Sequence, residues 1–419
     1  MEFSHRSNTS SRLARWGGSN RRLVITAHHL LLFIMVCYAV VLAPFIDSDF
    51  RNYLVIFAGM LGGLLFLSLR LKVTRQVLAG MLCLFFMGLQ ALFIGGDRDL
   101  WSVGLTLVYA SGYFAVATLF ERVPDKRGFL QKWARVIVYA FATLSIIQMV
   151  ASFTSLPIPN LIASKGLWSY NSLAFEPSQL GRVVGMTMLA YLMLLREPLR
   201  IERLFHFSKS NLALTGAFLI TMLLSGSALA ASAIAVVFIL SRSLVWSMIF
   251  AALIVIFWPI VLLVDYEPVN RAAAILSTIG DLDTDALISA DSSGASRVVP
   301  AVIYLKESVP SEVGFWIGYS GDGLARFFQY RLPGFGDTVA AGFLAGFPVV
   351  YGALGILVFL WIFVFLFLTP KTAPLIVFWI LFFSSSAWNT QVFWYGLILI
   401  QMTSAASGPD KAAVTRAAL

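Results

Sequence analysis

The chain has 419 residues, 59% hydrophobic and only 12% charged, with a mean hydropathy of +0.84. A water-soluble domain of this length needs far more ionisable surface, which excludes soluble enzymes and soluble binding modules. The net charge of +9 suits anionic lipid headgroups and a bias in orientation, with no nucleic acid needed as a partner.

A basic arm over residues 1–22 comes first, with Arg6, Arg12, Arg15, Arg21 and Arg22. About twenty apolar residues follow it without a small-x-small cleavage site, so the first span is expected to stay as an anchor. Spans are expected near 23–43, 53–69, 77–94, 101–120, 133–153, 179–195, 211–224, 226–240, 244–264, 340–369, 374–387 and 389–404. His28 and His29 read as packing residues at an interface. Cys37 and Cys83 read as small buried hydrophobes, too few and too deep for a disulfide framework. Ser225-Gly226-Ser227 and Ser384-Ser385-Ser386 each split an apolar pair, leaving open two short helices or one bent unit. The aromatics Trp388, Phe393, Trp394 and Tyr395 read as an interfacial belt. The expected class is an all-α polytopic membrane protein of about twelve transmembrane helices. Its divisions are the arm, nine spans within 23–264, one large outer loop over 265–338, three spans within 339–404 and a tail over 405–419.

Basic residues orient the spans. With the N-terminus cytoplasmic, 21 of the 30 Lys and Arg fall on inner segments, among them Arg70, Lys72 and Arg75, then Arg122, Lys126, Arg127, Lys132 and Arg135. Outer loops before residue 212 are nearly neutral, as the positive-inside rule requires. Both termini are then cytoplasmic.

The most informative local pattern is Phe175-Glu176-Pro177-Ser178-Gln179-Leu180-Gly181-Arg182, at the mouth of the span that ends at Leu195. Proline suits a first helical position, because its missing N–H would be unpaired there anyway. The helix it opens directs free amides outward. Arg182 then lies about 8 Å into the span, and a cation so placed is a functional-site candidate whose expected ligand is an anion. Glu176 also has a plainer reading, as a residue that stabilises the helix start or pairs with Arg182. The loop before it, 154–178, holds Trp168 and Tyr170.

The outer loop over 265–338 carries Arg271, Arg297, Asp322, Arg326 and Asp337. Apolar residues between Arg297 and Glu307 point to a short helix on the membrane surface, on which Arg297 is either functional or merely solvated. The glycines of Gly318-Tyr319-Ser320-Gly321-Asp322-Gly323 and Leu332-Pro333-Gly334-Phe335-Gly336 suit tight turns or close backbone approach to a ligand. Asp281-x-Asp283-x-Asp285 opens like a calcium loop, but Ala286 and Ser292 stand where glycine and glutamate are needed, so no metal is expected.

A Glu-Pro-Ser-x-x-Gly-Arg span entry resembles bacterial O-antigen and exopolysaccharide polymerases of the Wzy type. So do a long outer loop with Ser296-Arg297 opening a helix, a glycine-rich turn and an aromatic-rich last pair of spans. The related O-antigen ligases carry a histidine in the large loop, whereas the histidines here are His5, His28, His29 and His206; this favours polymerase over ligase. The resemblance implies a glycosyltransferase of the bacterial inner membrane, with the large loop periplasmic. Its substrate would be a polyprenyl-pyrophosphate-linked oligosaccharide, its partners a chain-length regulator and a flippase, and it would need no organic cofactor. In such chemistry Arg182 and Arg297 grip the departing pyrophosphate, with Arg271 and Arg326 behind them. Glu176 positions or deprotonates the acceptor hydroxyl, with Asp337 or Asp322 in reserve. Trp168, Tyr170, Trp316 and Tyr319 stack on sugar faces. A lipid-linked oligosaccharide flippase is the rival from another class.

Overall fold

The computed structural model describes residues 28–47, 51–68, 75–154, 156–162, 169–195, 209–241, 299, 302–329, 342–369 and 371–407. The elements are α1 (His28–Ala39), a 3-10 turn (Ala43–Phe45), α2 (Tyr53–Ser68), α3 (Arg75–Phe93), α4 (Asp97–Phe120) and α5 (Lys126–Ser152). There follow α6 (Pro177–Leu194), α7 (Lys209–Leu224), α8 (Ala228–Leu240), α9 (Val313–Ile317), α10 (Ser320–Gln329), α11 (Phe343–Phe367), α12 (Ala373–Phe383) and α13 (Gln391–Ala406). Among the described residues no strand forms, only one bridge between Ile46 and Asn52. The all-α expectation is met. Among the described residues Asp99–Phe120 and Lys126–Ser152 are long and apolar enough to cross a membrane; seven other helices there are apolar but shorter. The expected span 244–264 lies outside the described residues.

Helix α6 is the axis of the bundle, buried along nearly its whole length and packed on α5, α8, α12 and α13. Small residues set that closeness. A Cβ on Gly181 would come within 2.9 Å of Ala230, and one on Gly185 within 2.7 Å of the Phe378 ring, the close contact that small residues allow between membrane helices. Both open serine breaks turn out to separate two helices, α7 from α8 and α12 from α13. Cys37 and Cys83 are buried as expected.

The outside of the bundle is apolar and its inside partly polar. Tyr53, Phe57, Met60, Leu64 and Leu67 make an exposed stripe on α2, and Leu78, Leu82, Phe85, Leu89 and Leu92 make another on α3. Ser145, Gln148, Arg182, Thr187 and Thr221 are buried. A helix bundle in water shows the opposite arrangement.

The bundle has two chemically different ends. At one, Lys126 pairs with Glu121 at 2.8 Å, Arg127 donates to the Leu194 carbonyl at 2.5 Å, and Lys371 donates to the Ser407 carbonyl at 2.5 Å. Arg135 reaches the Tyr191 hydroxyl at 3.0 Å nearby. His28 packs edge-on against Phe129, 4.9 Å between ring centres, in line with its packing role. The other end carries the connections described in the next subsection.

Two expectations need correction. The span 340–369 is not one straight helix: Gly352 has φ 69° and ψ −177°, four residues after Pro348. The chain reverses there. Phe343 and Phe359 would be about 24 Å apart along a straight helix, yet their ring centres are 4.5 Å apart. The aromatics of α13 are not an outward belt either, because Trp388, Phe393, Trp394 and Tyr395 are all buried. Tyr395 shares a hydrogen bond with Thr187 of α6 at 2.8 Å, and Trp394 packs on Tyr113 of α4. Both helix faces are apolar, so composition alone does not say which turns inward.

Candidate functional site

A neutral polar network fixes where α6 begins. Asn160 accepts from the Ala43 amide at 2.7 Å and donates to the carbonyls of Val41 and Ser172 at 3.0 and 2.6 Å. Gln148 of α5 donates to the Pro159 carbonyl and accepts from the Ser172 amide, both at 2.8 Å. Asn171 donates to the carbonyls of Asn160 and Ala174 at 3.0 and 2.6 Å. These bonds tie the segment before α6 to the stretch just after α1 and to α5 through amides rather than charges. Buried amides so fully satisfied rigidify what they hold.

Glu176 follows this latch directly. It is the N-cap residue of α6 with Pro177 in the first turn, as the sequence pattern predicts. Its carboxylate accepts from the Ser178 hydroxyl and does not cap the helix amides. The residue is half-buried, within reach of solvent at the helix entrance.

Arg182 lies one turn further in, only 3% exposed. Its Nη2 donates to Ser385 Oγ at 2.9 Å, in the break between α12 and α13. The start of α11 arrives at the same break: the amides of Phe343 and Leu344 donate to the carbonyls of Ser386 and Ser384, both at 2.8 Å. The approach needs glycine before it, because a Cβ on Gly342 would lie 2.5 Å from the Ser385 carbonyl carbon. A buried guanidinium, a helix N-terminus and the start of α11 therefore meet.

Segment 302–329 is fastened to the same end. Asp99, 2% exposed near the start of α4, accepts from the Gly96 amide at 3.1 Å and from the Gly321 amide of α10 at 2.6 Å. One turn along α4, Ser102 faces Asn389 Nδ2 at 3.4 Å, four positions from Ser385. Gln90 of α3 donates to the Val350 carbonyl at 2.6 Å, beside the α11 reversal. Gly318 (φ 87°) and Gly352 lie against each other there, where any Cβ would overlap the Val350 or Trp316 carbonyl. Among the described loop glycines, Gly318 serves backbone-to-backbone packing and Gly321 helix anchoring. Asp99 and Gln90 carry this anchoring and were not singled out by the motifs; Gly95-Gly96 three residues before a carboxylate was the available signal for Asp99.

The other predicted residues fall into three groups. Tyr170 is buried, 4% exposed, with its hydroxyl 2.6 Å from Ser152 Oγ and its amide donating to the Leu224 carbonyl. That is a packing position, with no open ring face for a sugar. Trp316 and Tyr319 lie on segment 302–329, Trp316 exposed and bonded through Nε1 to the Pro310 carbonyl, Tyr319 donating to Glu312 at 2.7 Å. Arg326 is exposed in the last turn of α10, and Asp322 lies in the first turn of that helix. Trp168, Arg271, Arg297 and Asp337 lie outside the described residues, as does the Asp281–Asp285 motif.

Asp99→Ala is expected to release α10 without unfolding the bundle. It removes a charged acceptor from two amides, each bond contributing about 1.5–3 kcal/mol. Limited proteolysis should then cut within 318–329 while the helices stay intact; an unchanged cleavage pattern would contradict this anchoring. No protein-family profile matches the chain, and no curated protein matches it either.

Proposed function

We propose that this chain is a polysaccharide polymerase of the bacterial inner membrane, with many spans and both termini cytoplasmic. It transfers glycan from a polyprenyl-pyrophosphate carrier to a hydroxyl of another lipid-linked repeat unit at the periplasmic face. The observation that carries the reading is Arg182, a guanidinium buried one turn inside α6 where the start of α11 meets the bundle. Outside the cytoplasm there is no nucleotide-sugar pool, so the donor must bring its own leaving group. Breaking the glycosyl–phosphate bond builds negative charge on the departing diphosphate, and a preorganised guanidinium beside a helix N-terminus stabilises that charge. Glu176, at the same entrance, is placed to orient or deprotonate the acceptor hydroxyl. Arg297 is the second cation of the clamp in this reading, with Arg271 and Arg326 as its reserves. The exposed apolar stripes of α2 and α3 support embedding in lipid, and the cations near Glu121 and Leu194 support the cytoplasmic assignment of that end.

The test is reconstitution. Purified protein in liposomes, given carrier-bound oligosaccharide repeats, should yield a ladder of longer lipid-linked chains; single repeats alone would sink the proposal. One observation favours a second reading, flipping of lipid-linked oligosaccharide: α11 is discontinuous at Gly352, and transporters place broken helices at their sites. The same liposomes separate the two. A flippase moves lipid-linked repeats across the bilayer without lengthening them, whereas a polymerase lengthens them without needing to move them.

A further inference from the structure

We infer that the turn between α12 and α13 is a subsite for the neutral hydroxyls of a sugar, next to Arg182; the sugar's attachment to a pyrophosphate carrier rests on the proposed function. The turn reads Ser384-Ser385-Ser386-Ala387-Trp388-Asn389-Thr390, followed by Gln391 at the start of α13, and none of these side chains is ionisable. Most of its polar atoms are accounted for. Ser385 Oγ accepts from Arg182 and donates to the Phe382 carbonyl at 3.2 Å. Thr390 Oγ1 donates to the Ala387 carbonyl at 2.6 Å, and Gln391 Oε1 accepts from Asn52 Nδ2 at 2.7 Å.

Three donors remain. Ser386 Oγ, Trp388 Nε1 and Gln391 Nε2 belong to side chains 6%, 7% and 7% exposed, and none of the three has a hydrogen-bond partner among the described residues. Thr390, the N-cap of the 16-residue α13, makes no side-chain cap bond. Unmet donors are uncommon in folded interiors and point to a missing acceptor. Three of them beside an uncapped helix end form a built set of donors within a single turn.

The chemistry of the set selects the ligand. An anion alone would use donors only, and Arg182 already supplies the charge. Serine, asparagine and glutamine side chains both donate and accept, which matches sugar hydroxyls, themselves donors and acceptors. Ser386 directly follows the residue that holds Arg182, so a sugar here adjoins whatever phosphate the guanidinium grips. That is the connectivity of a pyrophosphate-linked glycan.

Two probes separate the subsites: inorganic pyrophosphate, and the oligosaccharide freed by mild acid from the cells' own lipid-linked pool. Both are titrated against full-length protein in nanodiscs. Ser386→Ala and Gln391→Leu should each weaken oligosaccharide binding about 3- to 10-fold, the effect of one hydrogen bond, and leave pyrophosphate binding unchanged. Arg182→Ala should do the reverse. Ser386→Ala removes an unmet buried hydroxyl, so its melting temperature should hold or rise. A lowered melting temperature with unaltered oligosaccharide binding would mean a purely structural hydroxyl and overturn the inference. Wild-type protein that binds no oligosaccharide, or variants that bind it as well as wild type, would overturn it too, even if the protein polymerises. Binding lost in both variants of a protein that joins no repeats would uphold the subsite and sink the polymerase.

Discussion

Arg182→Ala is expected to cut chain extension by about 10²–10³-fold, the usual cost of removing one preorganised donor from a developing anion. The protein should still insert and elute as a single species. Removing a buried cation relieves its desolvation, which offsets part of the loss of its bonds, the one to Ser385 among them, so stability should fall far less than activity. Arg182→Lys keeps the charge but loses the forked geometry, and an intermediate rate is expected. Ser385→Ala leaves the guanidinium in place with one fewer anchor, and a smaller loss of about 3- to 10-fold is expected. The ordering wild type, Ser385→Ala, Arg182→Lys, Arg182→Ala in a reconstituted assay is the signature of an anion-binding arginine. A rate in Arg182→Ala close to wild type would remove it from the site.

Gly352→Ala should have the largest effect on folding, with Gly318→Ala close behind. Both positions combine positive φ with extended ψ, a region that side-chain-bearing residues occupy at a cost of about 1–3 kcal/mol. The added Cβ also strikes backbone, the Trp316 carbonyl at Gly352 and the Val350 carbonyl at Gly318, which a rotamer change cannot relieve. Overpacking of this kind adds about 1–3 kcal/mol more. The sum is a large share of a typical stability of about 5–15 kcal/mol. Fluorescence-detected gel filtration of the solubilised protein should show little folded Gly352→Ala. Gly216→Ala is the control, since no atom lies within 4 Å of its added Cβ and a mid-helix alanine is favoured. Equal folded yields for the two variants would contradict the reversal of α11.

Much of the candidate site was legible because its signals are local. Pro177 at a helix start and Arg182 one turn later depend only on residues within a few positions, and both lie where the pattern places them. The segregation of Lys126, Arg127 and Arg135 at one end is likewise a property of neighbouring residues. Tyr170 was misjudged for a different reason. An aromatic in a polar loop is consistent with an open sugar platform or with a buried plug, and only the latch around Asn160 and Asn171 pulls that loop down onto α5 and α7.

By itself the sequence determined the helical class, the approximate limits of the apolar segments and the chemistry of the α6 entrance, since hydropathy, proline geometry and charge act over one or two turns. Tertiary structure alone decided that Arg182 meets Ser385, that Asp99 holds Gly321, and that α11 turns back at Gly352. It also decided that Trp394 and Tyr395 face inward. These pairings join residues some two hundred positions apart or select between two apolar faces. Where both the outward and inward surfaces of a helix are apolar, periodicity cannot tell one from the other, and only packing against a specific neighbour can.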